Sequence, residues 1–89
     1  MLLSVVAMFM IVYQNKKMYN EFAKKFGEKI KKEREKMGLT QEELALEAGV
    51  SRAYIGMLER AERSLTLKKI YQVSRGLDIK FPLLFDFDE

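Results

Sequence analysis

The chain has 89 residues, a formal net charge of +3, and neither cysteine nor histidine. That length suits one small domain, and the two missing residue types remove disulfides, thiolate nucleophiles, the ordinary zinc sites and the commonest general base. The mild positive balance hints at a polyanionic partner, the lack of cysteine fits the cytoplasm, and a chain that buries only about 60% of its unfolded surface gains from pairing with a second copy.

The first segment, Met1 to Tyr13, reads MLLSVVAMFMIVY and holds no charge. It is shorter than the roughly 20 residues a spanning helix needs. A secretory signal would place a positive residue ahead of the apolar run and a small-residue cleavage site behind it; here Lys16 and Lys17 follow the run instead. Three readings stand: sequence upstream of a natural start at Met18, a membrane-associated anchor, or an ordered arm that packs on another subunit. The third is carried forward, with residues 1–17 as an apolar arm or extension and residues 18–89 as the folded domain. Val5, Val6, Ile11 and Val12 favour a strand, the leucine, alanine and methionine residues favour a helix, and periodicity does not separate the two.

From Met18 the pattern turns helical. Phe22, Phe26 and Ile30 recur every four residues, Met37 continues the stripe, and Gly38 stops the helix. Its basic run, Lys24 to Lys36, is interleaved with Glu28, Glu33 and Glu35 and reads as a solvated face with charge pairs at helical spacing. Thr40 opens a second helix: TQEE places Glu43 three residues on, the pattern of a capping box. Leu44, Ala45 and Ala48 form its apolar face and Gly49 ends it. Ser51 caps a third helix running to about Arg60. Thr66 caps a fourth, with Leu67, Ile70, Val73 and Leu77 inward and Gly76 near its end. Pro82 suits the first turn of a last short helix anchored by Phe81, Leu84 and Phe85. The Phe81–Phe87 cluster reads as core and dimer interface, and the acidic end, FDFDE, belongs away from any phosphate.

Two short capped helices joined by EAGVS outline a helix-turn-helix. On a helical wheel Ser51, Ile55 and Leu58 point inward. Ala53, Gly56, Met57 and Arg60 point outward, with Arg52 on the flank. A helix that enters the major groove needs a face small enough to approach base edges and a long polar side chain to read them. Arg52 suits a bidentate contact to guanine O6 and N7, and Ala53 a thymine methyl. Gly56 would allow close approach to the backbone. Arg60 and Arg63, at and beyond the helix end, are placed to grip phosphates.

The segment LTQEELALEAGVSRAYIGMLERAERSLTLKKIYQVSRGL resembles the Xre/Cro/C1-type helix-turn-helix family, which includes the lambdoid phage repressors. The likeness rests on Leu39, Thr40, Gln41, Leu44, Ala45, Gly49, Val50, Ser51, Tyr54, Ile55, Leu58, Glu59 and Arg60, then Leu67, Ile70 and Leu77, and it spans about Phe26 to Phe85. The pattern R-x-Y-I-x-x-x-E-R, followed by Arg63 and Thr66, is similar to that of restriction–modification controller proteins. The resemblance implies that Gln41 touches the phosphate backbone. It implies that Ser51, Arg52, Ala53, Tyr54 and Met57 line the reading face, and that Arg60, Arg63, Ser64 and Thr66 bind phosphates. Tyr54 is equally suited to packing beside Ile55. The resemblance also implies an ion pair between Arg34 and Glu59, joining the first helix to the reading helix. Family members often carry glycine or asparagine after the E-R pair; Ala61 and Glu62 stand there in this chain, and Glu62 is acidic beside the expected phosphates.

These readings lead to one expectation: an all-α, compact, five-helix, lambda-repressor-like domain with an apolar N-terminal arm. It would act as a homodimeric transcription regulator on a pseudo-palindromic double-stranded DNA operator, in the cytoplasm and associated with the nucleoid. No enzymatic activity, cofactor, metal or small-molecule effector is expected, and no membrane partner. The alternative is an antitoxin-like or protein-interaction module that holds its partner through the apolar arm.

Overall fold

The computed structural model describes residues 2–62 and 65–87. Among these are four α-helices, α1 (Leu2–Lys36), α2 (Gln41–Ala48), α3 (Arg52–Glu59) and α4 (Leu67–Gly76), followed by a 3-10 helix, Phe81–Phe85. The described residues form no strand. The last helix is therefore 3-10 rather than α, with Pro82 in its first turn as its fixed φ favours.

The apolar segment and the domain share one helix. α1 crosses residues 17 and 18 without a break. The physical reason lies at the junction: Gln14, Asn15, Lys16 and Lys17 include no helix breaker, and the β-branched residues before them have no strand to pair with. At about 1.5 Å per residue the helix is roughly 52 Å long, and it sets the 54 Å long axis of the molecule. No helix among the described residues is long and apolar enough to cross a membrane.

The core gathers one face of each element. Phe26 and Ile30 from α1, Leu44 from α2, Ile55 and Leu58 from α3, Val73 from α4, Leu77 at its C-cap, and Leu84 from the 3-10 helix are almost wholly enclosed. Burying a side chain of this kind stabilises by about 1.5–3 kcal/mol. A fan of rings extends this core: Phe26 stacks on Phe85 at 5.2 Å between centroids, and Phe22 meets Phe87 at 5.5 Å.

Five residues expected inward or as apolar anchors are exposed instead: Ser51 at the cap of α3, Phe85 at the end of the 3-10 helix, and Phe22, Met37 and Leu67. Phe22 lies at the outer rim of the ring fan. Met37 falls just beyond the end of α1, where Arg34 takes the buried position at that level. Leu67 opens α4 on the side it shares with exposed Tyr71, one turn on, while Ile70, Val73 and Leu77 form the buried stripe.

Two glycines let helices touch. A Cβ on Gly27 would lie 2.6 Å from the Leu58 carbonyl oxygen and 2.7 Å from that of Glu59, so α1 passes directly against the end of α3. A Cβ on Gly76 would meet the Ala48 backbone nitrogen at 3.0 Å, which brings α4 against the end of α2.

Candidate nucleic-acid interface

Local capping sets up the helix-turn-helix. The Thr40 hydroxyl accepts from the Glu43 N–H at 3.1 Å, and the Glu43 carboxylate accepts from the Thr40 N–H at 2.9 Å. These reciprocal bonds, the backbone one first, hold the Glu43 carboxyl below its usual pKa. α2 ends at Gly49, whose φ of 71° is a left-handed conformation that glycine adopts without a Cβ penalty. The Val50 N–H then closes back on the Ala45 carbonyl at 3.0 Å. Ser51 starts α3 by accepting from the Tyr54 N–H at 3.0 Å. Thr66 occupies the cap position of α4 but makes no side-chain capping bond, unlike the two caps before it.

A buried clamp holds α3 in place. Arg34 donates to both carboxylate oxygens of Glu59, at 2.7 and 3.2 Å, and to the Leu39 carbonyl at 2.7 Å. The side chains of the pair are 10% and 3% exposed. The bond to Glu59 raises the Arg34 pKa, against the opposing pull of burial. Gln41, at the start of α2, donates its amide to the same carboxylate at 3.0 Å. One carboxylate thus ties together α1, α2 and α3. Gln41, expected at a phosphate, has its amide nitrogen engaged within the molecule.

The outward face of α3 carries Arg52 and Ala53, both exposed, and a partly exposed Met57. Arg52 makes no hydrogen bond or ion pair among the described residues. Tyr54 does not share this face. Its ring is 6% exposed, and its hydroxyl is enclosed with no partner in hydrogen-bond geometry. Of the two roles its position allowed, packing is the one this conformation adopts. Burial pushes the phenol pKa up; the Thr66 hydroxyl opposes this from nearby, outside hydrogen-bond geometry. The ammonium of Lys69 sits 4.6 Å from the centre of the Tyr54 ring, a cation–π contact that places a positive charge beside α3. Nothing in the sequence pattern singled out Lys69; the aromatic at Tyr54 opposite a basic pair, Lys68 and Lys69, on the next helix was the only available sign.

Gly56 is buried rather than presented to a ligand. A Cβ there would meet the Arg60 guanidinium, with Nη1 at 3.1 Å. The glycine makes room for Arg60. Arg60, the C-cap of α3, is itself paired with Glu62 at 2.8 Å. Thr66 is exposed at the start of α4. Arg63 and Ser64, the remaining expected phosphate contacts, lie outside the described residues.

Comparison with known proteins agrees with this geometry. Residues 30–84 match the HTH_3 helix-turn-helix family model. The control protein C.BamHI of Bacillus amyloliquefaciens is 35% identical over 71 residues, covering 79% of this chain and 88% of that protein. An uncharacterized HTH-type transcriptional regulator of Archaeoglobus fulgidus is 41% identical over 61 residues, covering 68% of this chain and 86% of the regulator. The crystal structure of the restriction-modification controller protein C.AhdI from Aeromonas hydrophila superposes with a TM-score of 0.68 at 37% identity, covering 70% of this chain and 94% of that one. Capped helices, a glycine turn and a clamped third helix, in a chain so matched, make this protein a member of the Xre/Cro/C1-type helix-turn-helix family.

Proposed function

We propose that the chain is a sequence-specific DNA-binding transcription regulator that acts as a homodimer on a pseudo-palindromic operator. The observation that carries this is the outward face of α3: an exposed Arg52, unpaired among the described residues, beside exposed Ala53, on a helix whose other side is fixed by the Arg34–Glu59–Gln41 clamp. Arg52 would read a base edge, most readily guanine, with Ala53 and Met57 beside it. Arg63, Ser64, Thr66 and the ammonium of Lys69 would serve the phosphates. Buried Tyr54 would support this surface from behind. Half-sites would lie about one helical turn, roughly 34 Å, apart.

A second copy would cover the apolar side of α4 and the 3-10 helix. Leu67, Tyr71 and Leu83 are each more than half exposed there, and Leu67 and Tyr71, with Lys68 and Phe81, edge a shallow apolar depression. The control proteins among its relatives suit a regulator of restriction–modification genes.

The test is fluorescence anisotropy on an operator selected from random DNA and on unselected DNA, across a salt series. Arg52→Ala should lose about 1–3 kcal/mol on the operator and little on unselected DNA. Arg63→Ala should weaken both similarly and lower the salt slope by about one ion. Equal proportional losses for both variants on both DNAs would refute this division. No loss for either would move the binding surface away from α3 and favour an interaction module, for which exposed Val6, Met10 and Met18 on α1 are the supporting feature.

A further inference from the structure

Arg60 and Glu62 form more than a passing surface pair. The guanidinium presents two parallel bonds, Nε to one Glu62 carboxylate oxygen at 2.8 Å and Nη2 to the other at 3.1 Å. The backbone enforces the arrangement. The Arg60 N–H bonds the Gly56 carbonyl at 3.1 Å, and the Glu62 N–H bonds the Met57 carbonyl at 2.8 Å. Between them Ala61 turns the chain through a left-handed φ of 58°. This turn brings a carboxylate only two residues along back to the arginine. The head of Arg60 also rests against Gly56, so it is confined on both sides. The side chains nevertheless remain 57% and 51% exposed.

A phosphate recognises guanidinium through the same planar fork that a carboxylate uses. A fork that is filled cannot take a phosphate until it is vacated, and the vacated carboxylate then repels that phosphate at short range. We propose that Glu62 is a built-in competitor for DNA phosphate at Arg60, and so sets how strongly the reading helix holds the DNA backbone. This rests on the reading of the chain as a DNA-binding regulator. Two properties of the pair suit it to compete. It is bidentate and backbone-positioned, so it is populated in the free protein, and it is solvent-exposed, so it opens at little cost. Phosphates carry no sequence information, so the competition acts on operator and unselected DNA alike.

The experiment is a double-mutant cycle on the full chain, read by anisotropy on both DNAs across a salt series. Glu62→Gln should tighten binding about twofold to fivefold on each, the upper part of the range for an exposed but well-formed pair. It should also steepen the salt dependence by up to about one ion. In an Arg60→Ala background the same substitution should change affinity less than about twofold, since only screened long-range repulsion is left. A separate reading without DNA is the NMR signal of the Arg60 Nε–H. It should be distinct and slow to exchange in the parent chain and merge with the exposed arginines in Glu62→Gln. Unchanged affinity in Glu62→Gln, or an equal gain with Arg60 absent, overturns the competitor and leaves the regulator standing. Failure of parent and variants to bind any DNA at low salt overturns both.

Discussion

The clamp around Glu59 offers the sharpest test, because its energetics follow from four distances and two exposures. Arg34→Met would leave the Glu59 carboxylate, 3% exposed, with only the Gln41 amide at 3.0 Å. An uncompensated buried charge of this kind costs about 3–5 kcal/mol. Glu59→Gln is milder. Arg34 keeps the Leu39 carbonyl at 2.7 Å and one neutral acceptor, so the loss should be about 2–3 kcal/mol. A domain of 89 residues has about 4–13 kcal/mol in all, so Arg34→Met alone should remove about a quarter of it or more. The double variant buries no charge and should be about 2 kcal/mol more stable than the sum of the two losses predicts. Urea unfolding of the parent, both singles and the double measures this coupling, provided the slopes agree. A coupling below about 0.5 kcal/mol is ordinary additivity, and would mean that the two charges do not sense each other.

Three further outcomes follow from local geometry. Gly27→Ala should destabilise by about 1–3 kcal/mol, because its Cβ meets two backbone carbonyls of α3 rather than a movable side chain; urea unfolding beside Gly56→Ala, whose Cβ meets only the Arg60 head, checks the contrast. Ala61→Gly should stabilise by about 0.5–1 kcal/mol by removing a Cβ from a φ of 58°, seen as a Tm rise of about 2–8 °C. The Glu43 carboxyl titrates below its usual 4.5 in the folded chain, so its contribution is fully present above pH 4.5 and is lost as pH falls through the lowered value. Stability curves of the parent and Glu43→Gln should therefore be separated at neutral pH and converge in acid, and parallel curves would contradict the capping assignment.

How much of this was legible beforehand depended on range. Thr40, Gly49 and Ser51 act within four residues of themselves, and their roles were readable from spacing. The Arg34–Glu59 pair spans 25 residues; only the family resemblance pointed to it. The ends of helices misled. A step of four along α1 places Phe22 in line with Phe26 and Ile30, but nothing in that step says where the covering layer stops. Leu67 obeys the apolar pattern and still faces out, because the pattern does not distinguish a core position from an exposed apolar one. The contacts of Gly56 and Glu62 with Arg60 were unreadable for a different reason. Their meaning comes from where one arginine head comes to rest, which depends on Ala61 turning the chain.

The eight residues of α3 divide into two sets that do not overlap. Tyr54, Ile55, Gly56 and Leu58 are buried and Glu59 is held in the clamp, while Arg52 and Ala53 face outward and Met57 is partly exposed. A substitution at either of the two exposed positions touches no core contact. On the proposed reading of Arg52 and Ala53, a new target sequence would be acquired in single steps, each nearly neutral for folding, whereas a change among the buried residues would remove the helix from service before any new target is tested. Divergence in what such a regulator recognises would therefore run through a few outward side chains, and two regulators with the same frame could become mutually blind to each other's sites without ever passing through an unfolded intermediate.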